Sequence, residues 1–192
     1  MEPFLFAVLG GLFIIAIQWL IKKRLSFVAQ RPEDYAESDQ TFDIREVLNG
    51  PIICEGVIYG PTGRVTSRFV GDFEAEWKGN AGIMRETFTY DSGNTQNRAW
   101  YLTLDEAGRI EARADDVEGV GSGFQKGNAV QLRYRLRLPE EGGGHVLDVT
   151  DWMYLAPNGT IINRSQFRKF GIQVAELVAT MRPAEELLRE AA

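Results

Sequence analysis

The chain has 192 residues, with 21 Lys and Arg against 27 Asp and Glu and a formal net charge of −6. A single cysteine excludes an internal disulfide framework, and a single histidine excludes the usual histidine-rich zinc and iron sites. From Leu25 onward the chain holds 18 of the basic residues against 26 of the acidic ones, a formal charge of −8. With no basic stripe, that balance argues against nucleic-acid binding, which needs positive charge to displace counterions.

Residues 3–21 are apolar except for Gln18, and Lys22, Lys23 and Arg24 follow at once. As a helix the run would cover roughly 28 Å, enough for a hydrocarbon core of about 30 Å. A cleaved signal peptide carries its bases before the apolar core and small residues after it. Here that order is reversed, and the nearest small residue, Ala29, has Phe27 two positions before it. A lipoprotein would need a cysteine just behind the apolar run, whereas the single cysteine is Cys54. The expectation is therefore a single-pass anchor that meets the lipid bilayer through residues 3–21. By the positive-inside rule the three bases behind it place the C-terminal domain in the cytoplasm.

Residues 22–41 read as a polar juxtamembrane linker, with Thr41 as a cap for a short helix ending at Leu48 before Asn49-Gly50-Pro51. From there the pattern has period two. Apolar stretches at about 52–59, 64–77, 83–90, 96–104, 109–114, 117–125, 129–138, 145–156, 160–168 and 171–180 alternate with turn signals such as Gly60-Pro61-Thr62-Gly63 and Pro157-Asn158-Gly159. Short strands joined by hairpin turns predict an all-β antiparallel meander of about nine or ten strands. Closing it into an up-and-down barrel over residues 42–182 removes the exposed edges. A short tail, 183–192, with scope to form a helix, would follow. Gly119-Val120-Gly121-Ser122-Gly123 falls inside a strand pattern and reads as a bend or bulge, not a phosphate loop.

Alternation also assigns faces. Phe69, Gly71, Phe73, Ala75 and Trp77 share one face of their strand, as do Leu132, Tyr134 and Leu136 of theirs, so these sets point inward. The same parity puts Glu86 beside Phe88, Arg98 beside Trp100, Asp151 beside Val149 and Met153, and Asn163 beside Ile161. Polar groups on apolar faces are either a satisfied network, with Arg98 holding Asp151 or Glu86, or the polar lining of a ligand cavity. The cavity candidates are Trp77, Glu86, Phe88, Arg98, Trp100, Tyr134, Asp151 and Asn163. Cys54 reads as a small strand residue, because no second histidine could serve as its base. His145, beside three glycines, reads as a solvated loop residue. Neither a metal nor a cofactor is expected, and no catalytic residue is assigned.

The runs Phe69-Val70-Gly71-Asp72-Phe73, Glu86-Thr87-Phe88-Thr89-Tyr90, Arg98-Ala99-Trp100, Asp151-Trp152-Met153-Tyr154, Ile162-Asn163-Arg164 and Lys169-Phe170-Gly171 resemble the bacterial domain-of-unknown-function family numbered 3833. The resemblance extends from about Phe42 to Arg182. It implies a lipocalin-like barrel, a cell-envelope location at a bacterial inner membrane, with many relatives held by a lipid tether and a periplasmic domain as the alternative to the cytoplasmic one, and company with fatty-acid-modifying enzymes. It carries over no catalytic residue. Three functions fit. The first is a membrane-tethered barrel binding a hydrophobic small molecule or lipid. The second is a scaffolding or interaction protein with a filled barrel, offering Trp152 and Tyr154 as a partner patch. The third is an isomerase-type enzyme using Asp151 or Glu86 as acid or base beside Arg98.

Overall fold

The structure is a computed structural model that describes residues 2–184, so the tail expected beyond Pro183 falls almost wholly outside the described residues. The first element is α1 (Glu2–Leu25), whose segment Pro3–Leu25 is long and apolar enough to cross a membrane. Two turns of 3-10 helix follow, Phe27–Ala29 and Pro32–Tyr35, and then α2 (Ile44–Val47). Ten strands make up the rest: β1 (Gly50–Tyr59), β2 (Val65–Lys78), β3 (Ala81–Tyr90), β4 (Thr95–Leu104), β5 (Arg109–Arg113), β6 (Gly121–Lys126), β7 (Ala129–Arg137), β8 (Val146–Leu155), β9 (Ile161–Lys169) and β10 (Ile172–Pro183).

All the pairings are antiparallel between chain neighbours, and β1 also pairs with β10, with Ile52 opposite Pro183 and Tyr59 opposite Glu176. The result is a closed, up-and-down, lipocalin-like barrel without a free edge, which satisfies every strand's outer row of backbone groups. The alternation in β2 sets its faces as the sequence predicts: Phe69, Gly71, Phe73 and Ala75 are buried while Arg68, Val70, Asp72 and Glu74 face out.

The sixth strand differs from expectation. It begins at Gly121, not near 117, and Val117 makes only an isolated bridge to Leu136. Residues 114–120 instead form part of the rim at one end, with the 60–64, 91–94, 138–145 and 170–171 connections. Within β6 a side chain at Gly123 would run into the Gln131 carbonyl and the Leu132 side chain. The glycine is there for close approach of β7.

The opposite end is closed by α2. Its cap is Asp43, not Thr41: the Asp43 carboxylate accepts the Arg45 amide at 2.9 Å and also holds the Arg45 guanidinium. Phe42, Ile44 and Leu48 are 0%, 2% and 2% exposed, and each such burial is worth roughly 1.5–3 kcal/mol. Three hydrogen bonds pin this plug. The Trp77 indole N–H donates to the Leu48 carbonyl at 2.7 Å, the Phe42 amide to the Gly127 carbonyl at 2.7 Å, and the Ile44 amide to Gln125 Oε1 at 3.2 Å.

Residues 26–41 do not hang free as a linker. They form a strap across the outer wall of β7, β8 and β9. Tyr35 packs on Trp152 and Tyr154 at 5.2 and 5.6 Å between ring centroids, and those two rings stack on each other with planes 4° apart. Both tyrosine hydroxyls donate to Gln30 Oε1, and the Arg164 guanidinium lies 4.6 Å above the Phe27 ring. The strap explains why alternation fails locally, with Ala129, Val130, Gln131 and Leu132 consecutively buried in β7 and Trp152 and Met153 in β8.

Candidate functional site

The barrel is hollow. A cavity of about 1040 Å³ runs from the α2 plug, where Ile44 and Leu48 line it, to a rim that includes Asp115, Leu138, His145 and Lys169. Its size is at the upper end of small-molecule sites. The filled barrel considered from sequence is therefore not what the chain builds. The partner patch does not exist as an open surface either, because Trp152 is fully buried beneath Tyr35.

Of the eight side chains singled out by alternation, Glu86, Phe88, Arg98, Trp100, Tyr134, Asp151 and Asn163 line this cavity. Trp77 does not. It points inward at the closed end, lies over Gly82, and is held by its bond to the plug. Aromatic rings form much of the wall: Phe88 meets Phe69 and Phe73 edge-on at 5.3 and 5.2 Å, and Trp100 meets Tyr134 edge-on at 5.0 Å.

A polar belt crosses this apolar lining at mid-height. Glu86 on β3 and Arg98 on β4 are directly opposite in register. Arg98 nevertheless bonds neither Glu86 nor Asp151, as the sequence suggested. Its Nε donates at 3.0 Å to Oδ1 of Asp116, from the rim connection between β5 and β6. The guanidinium also sits 4.0 Å over the Trp100 ring and 5.6 Å over Tyr134. Across the barrel, Asp151 Oδ1 accepts from Asn163 Nδ2 at 2.5 Å and from Ser165 Oγ at 2.8 Å. Asp116 and Ser165 are the belt residues that the sequence reading missed. Ser165 was reachable, since it shares Asn163's parity on β9, whereas Asp116 is in a loop to which parity does not apply.

The belt's ionisation follows from its surroundings. Burial pushes the Glu86 carboxyl up to about 7; Asp151 and Asp116 add to this, and Arg98 opposes it. Burial also raises Asp151, against the pull of the Ser165 and Asn163 hydrogen bonds. Burial raises the Cys54 thiol as well, so this cavity-lining cysteine stays protonated and inert as a nucleophile. His145 is exposed at the rim. Among the described residues no cluster of three His, Cys, Asp or Glu could hold a metal ion.

A lipocalin-like barrel with a hollow, mixed aromatic and polar interior defines the class of this protein. Residues 23–183 match the family of proteins of unknown function designated DUF3833, and the chain belongs to that family. No curated protein matches it. Among solved structures it is similar to the S-type phycobiliprotein lyase CPES from Guillardia theta, with a TM-score of 0.54 and 9% identity over 80% of this chain and 97% of that one. It is more distantly similar to an exported protein with a YmcC-like fold from Bacteroides fragilis, with a TM-score of 0.34 and 11% identity over 68% and 94% of the two chains. At such identities the likeness concerns the fold alone.

Proposed function

We propose that the chain is a membrane-tethered barrel that binds a hydrophobic, lipid-like molecule in its interior, beside the bilayer that α1 enters. The observation that carries this reading is the open cavity of about 1040 Å³, walled mainly by apolar and aromatic side chains. α1 supplies the tether by its length and composition, and Lys22, Lys23 and Arg24 favour a cytoplasmic domain.

The test is organic extraction of the purified full-length protein followed by mass spectrometry, beside the variant Ala175→Trp. Ala175 lines the upper cavity, so an indole there occupies ligand space while leaving α1 unchanged. A molecule recovered from the natural sequence and lost from the variant supports the reading. The same lipids recovered equally from both belong to the anchor's surroundings and overturn it. Protease accessibility in intact against permeabilised cells decides the side: digestion of the domain in intact spheroplasts would place it in the periplasm.

Acid–base chemistry on the bound molecule is a second reading, favoured by Glu86, whose carboxyl titrates at about 7 inside the cavity. Turnover of a candidate substrate that survives both Glu86→Gln and Asp151→Asn would exclude it.

A further inference from the structure

The belt leaves hydrogen-bonding positions unfilled on two carboxyls and on the guanidinium. Glu86 is 6% exposed, and its Oε2 accepts nothing. Both hydrogen bonds to Asp151 end on Oδ1, so its Oδ2 accepts none among the described residues. Arg98 Nη2 has no acceptor. Unfilled acceptors on two carboxyls and an unfilled donor on the guanidinium thus lie in the cavity wall, and native interiors seldom leave such atoms unpaired without a reason.

The charges are equally lopsided. Three carboxyls (Glu86, Asp116 and Asp151) share the belt with one guanidinium, and Asp116 already engages that guanidinium at 3.0 Å. Of the cations at the rim, above the belt, Arg137 is paired with Glu118, and Lys169 Nζ gives one of its hydrogen bonds to the Val146 carbonyl at 3.0 Å. An anionic head brought to the belt would meet two carboxyls with no spare cation between them. An ammonium head could donate to both carboxyls, and an alcohol could donate to one of them while its oxygen accepts from Arg98 Nη2.

We propose that the cavity selects amphiphiles whose polar head donates hydrogen bonds and bears no negative charge, such as long-chain amines and alcohols, over fatty carboxylates. The inference deepens the lipid-binding reading above and rests on it.

The test is native mass spectrometry of the full chain titrated with decylamine, decanol and decanoate at about pH 8, above the value of about 7 to which burial lifts the Glu86 carboxyl. Ala175→Trp serves as the control for adducts outside the cavity. The expected result is one-to-one adducts of the amine and the alcohol that the control loses, binding at least about tenfold more tightly than decanoate. In a Glu86→Gln, Asp151→Asn double variant that difference should shrink to about threefold or less, because the repelling charges are gone. Decanoate binding in the cavity as tightly as the other two overturns the selectivity while leaving the lipid-binding reading intact. A preference that persists unchanged in the double variant would assign it to some other group and also overturn the proposal. If none of the three probes gives an adduct that Ala175→Trp removes, the cavity reading itself fails. The natural sequence alone decides the selectivity, so the result stands even where the double variant does not fold.

Discussion

Glu86 and Arg98 are direct cross-strand partners, yet the guanidinium turns away from the carboxyl beside it and bonds Asp116 on the rim. A carboxyl and a guanidinium thus share a wall of the cavity while the carboxyl keeps an open oxygen. The arrangement ties a rim segment without regular structure to the middle of the barrel.

Removing the guanidinium should be costly. Arg98→Met keeps an apolar stem against Trp100 but strands Asp116 and removes the cation that holds the Glu86 carboxyl down. We expect a loss of roughly 2–4 kcal/mol in urea unfolding, toward the low side for a buried pair because the Asp116 side chain is 27% exposed. Arg98→Met as stable as the natural chain would show that the pair contributes nothing.

Stability should fall as pH rises across the neutral range. Folded Glu86 keeps its proton up to about 7, whereas the unfolded chain releases it near 4.5, so the folded state binds more protons between those limits. The ionisable groups around it are Arg98, Asp116, Asp151, Tyr90, Tyr134 and Cys54, and burial raises the last three, which stay neutral throughout. The unfolding free energy should drop by roughly 3 kcal/mol from about pH 4.5 to 7 and then level off. Glu86→Gln should flatten that slope and leave the contribution of Asp151, which has the same sign. Urea midpoints at acidic and mildly alkaline pH measure it, and an unchanged slope in the variant would refute the assignment.

Gly127 is at φ 52°, and a Cβ there would overlap the Tyr35 carbonyl oxygen. Gly127→Ala should therefore lift the strap while leaving the barrel paired. Hydrogen exchange in residues 30–42 should rise in the variant with little change in β2 and β3, and equal exchange in both proteins would contradict it.

Trp152→Ala should destabilise the chain by about 3–5 kcal/mol, because the ring is fully buried between the barrel wall and Tyr35. Tyr35→Ala should reproduce a smaller part of the loss. If Trp152→Ala melts within a degree of the natural protein, the strap does not pack as described.

Much of the barrel could be read from the chain because alternation and turn residues are local signals. Phe69, Phe73 and Ala75 against Asp72 and Glu74 settle which way β2 faces without knowledge of any partner. Parity also found the inward Glu86, Arg98, Asp151 and Asn163, yet it says nothing of height along the axis. Trp77 is inward like the others but lies at the closed end. The strap was illegible because residues 26–41 carry no periodicity, and its docking depends on Tyr35 meeting Trp152 across 117 positions of chain. Asp116 escaped for the same reason, since a loop side chain has no face until its partner Arg98 is placed.

The closed end of the barrel has a mechanical consequence. No rung of the strand ladder runs through residues 42–48, and the plug is one covalent piece with the strap and α1. A pull between the N-terminal helix and the barrel therefore loads Tyr35, Phe42 and Ile44 before any strand. Releasing residues 26–48 would pay out roughly 70–80 Å of chain and uncork the floor of the cavity with all ten strands still paired.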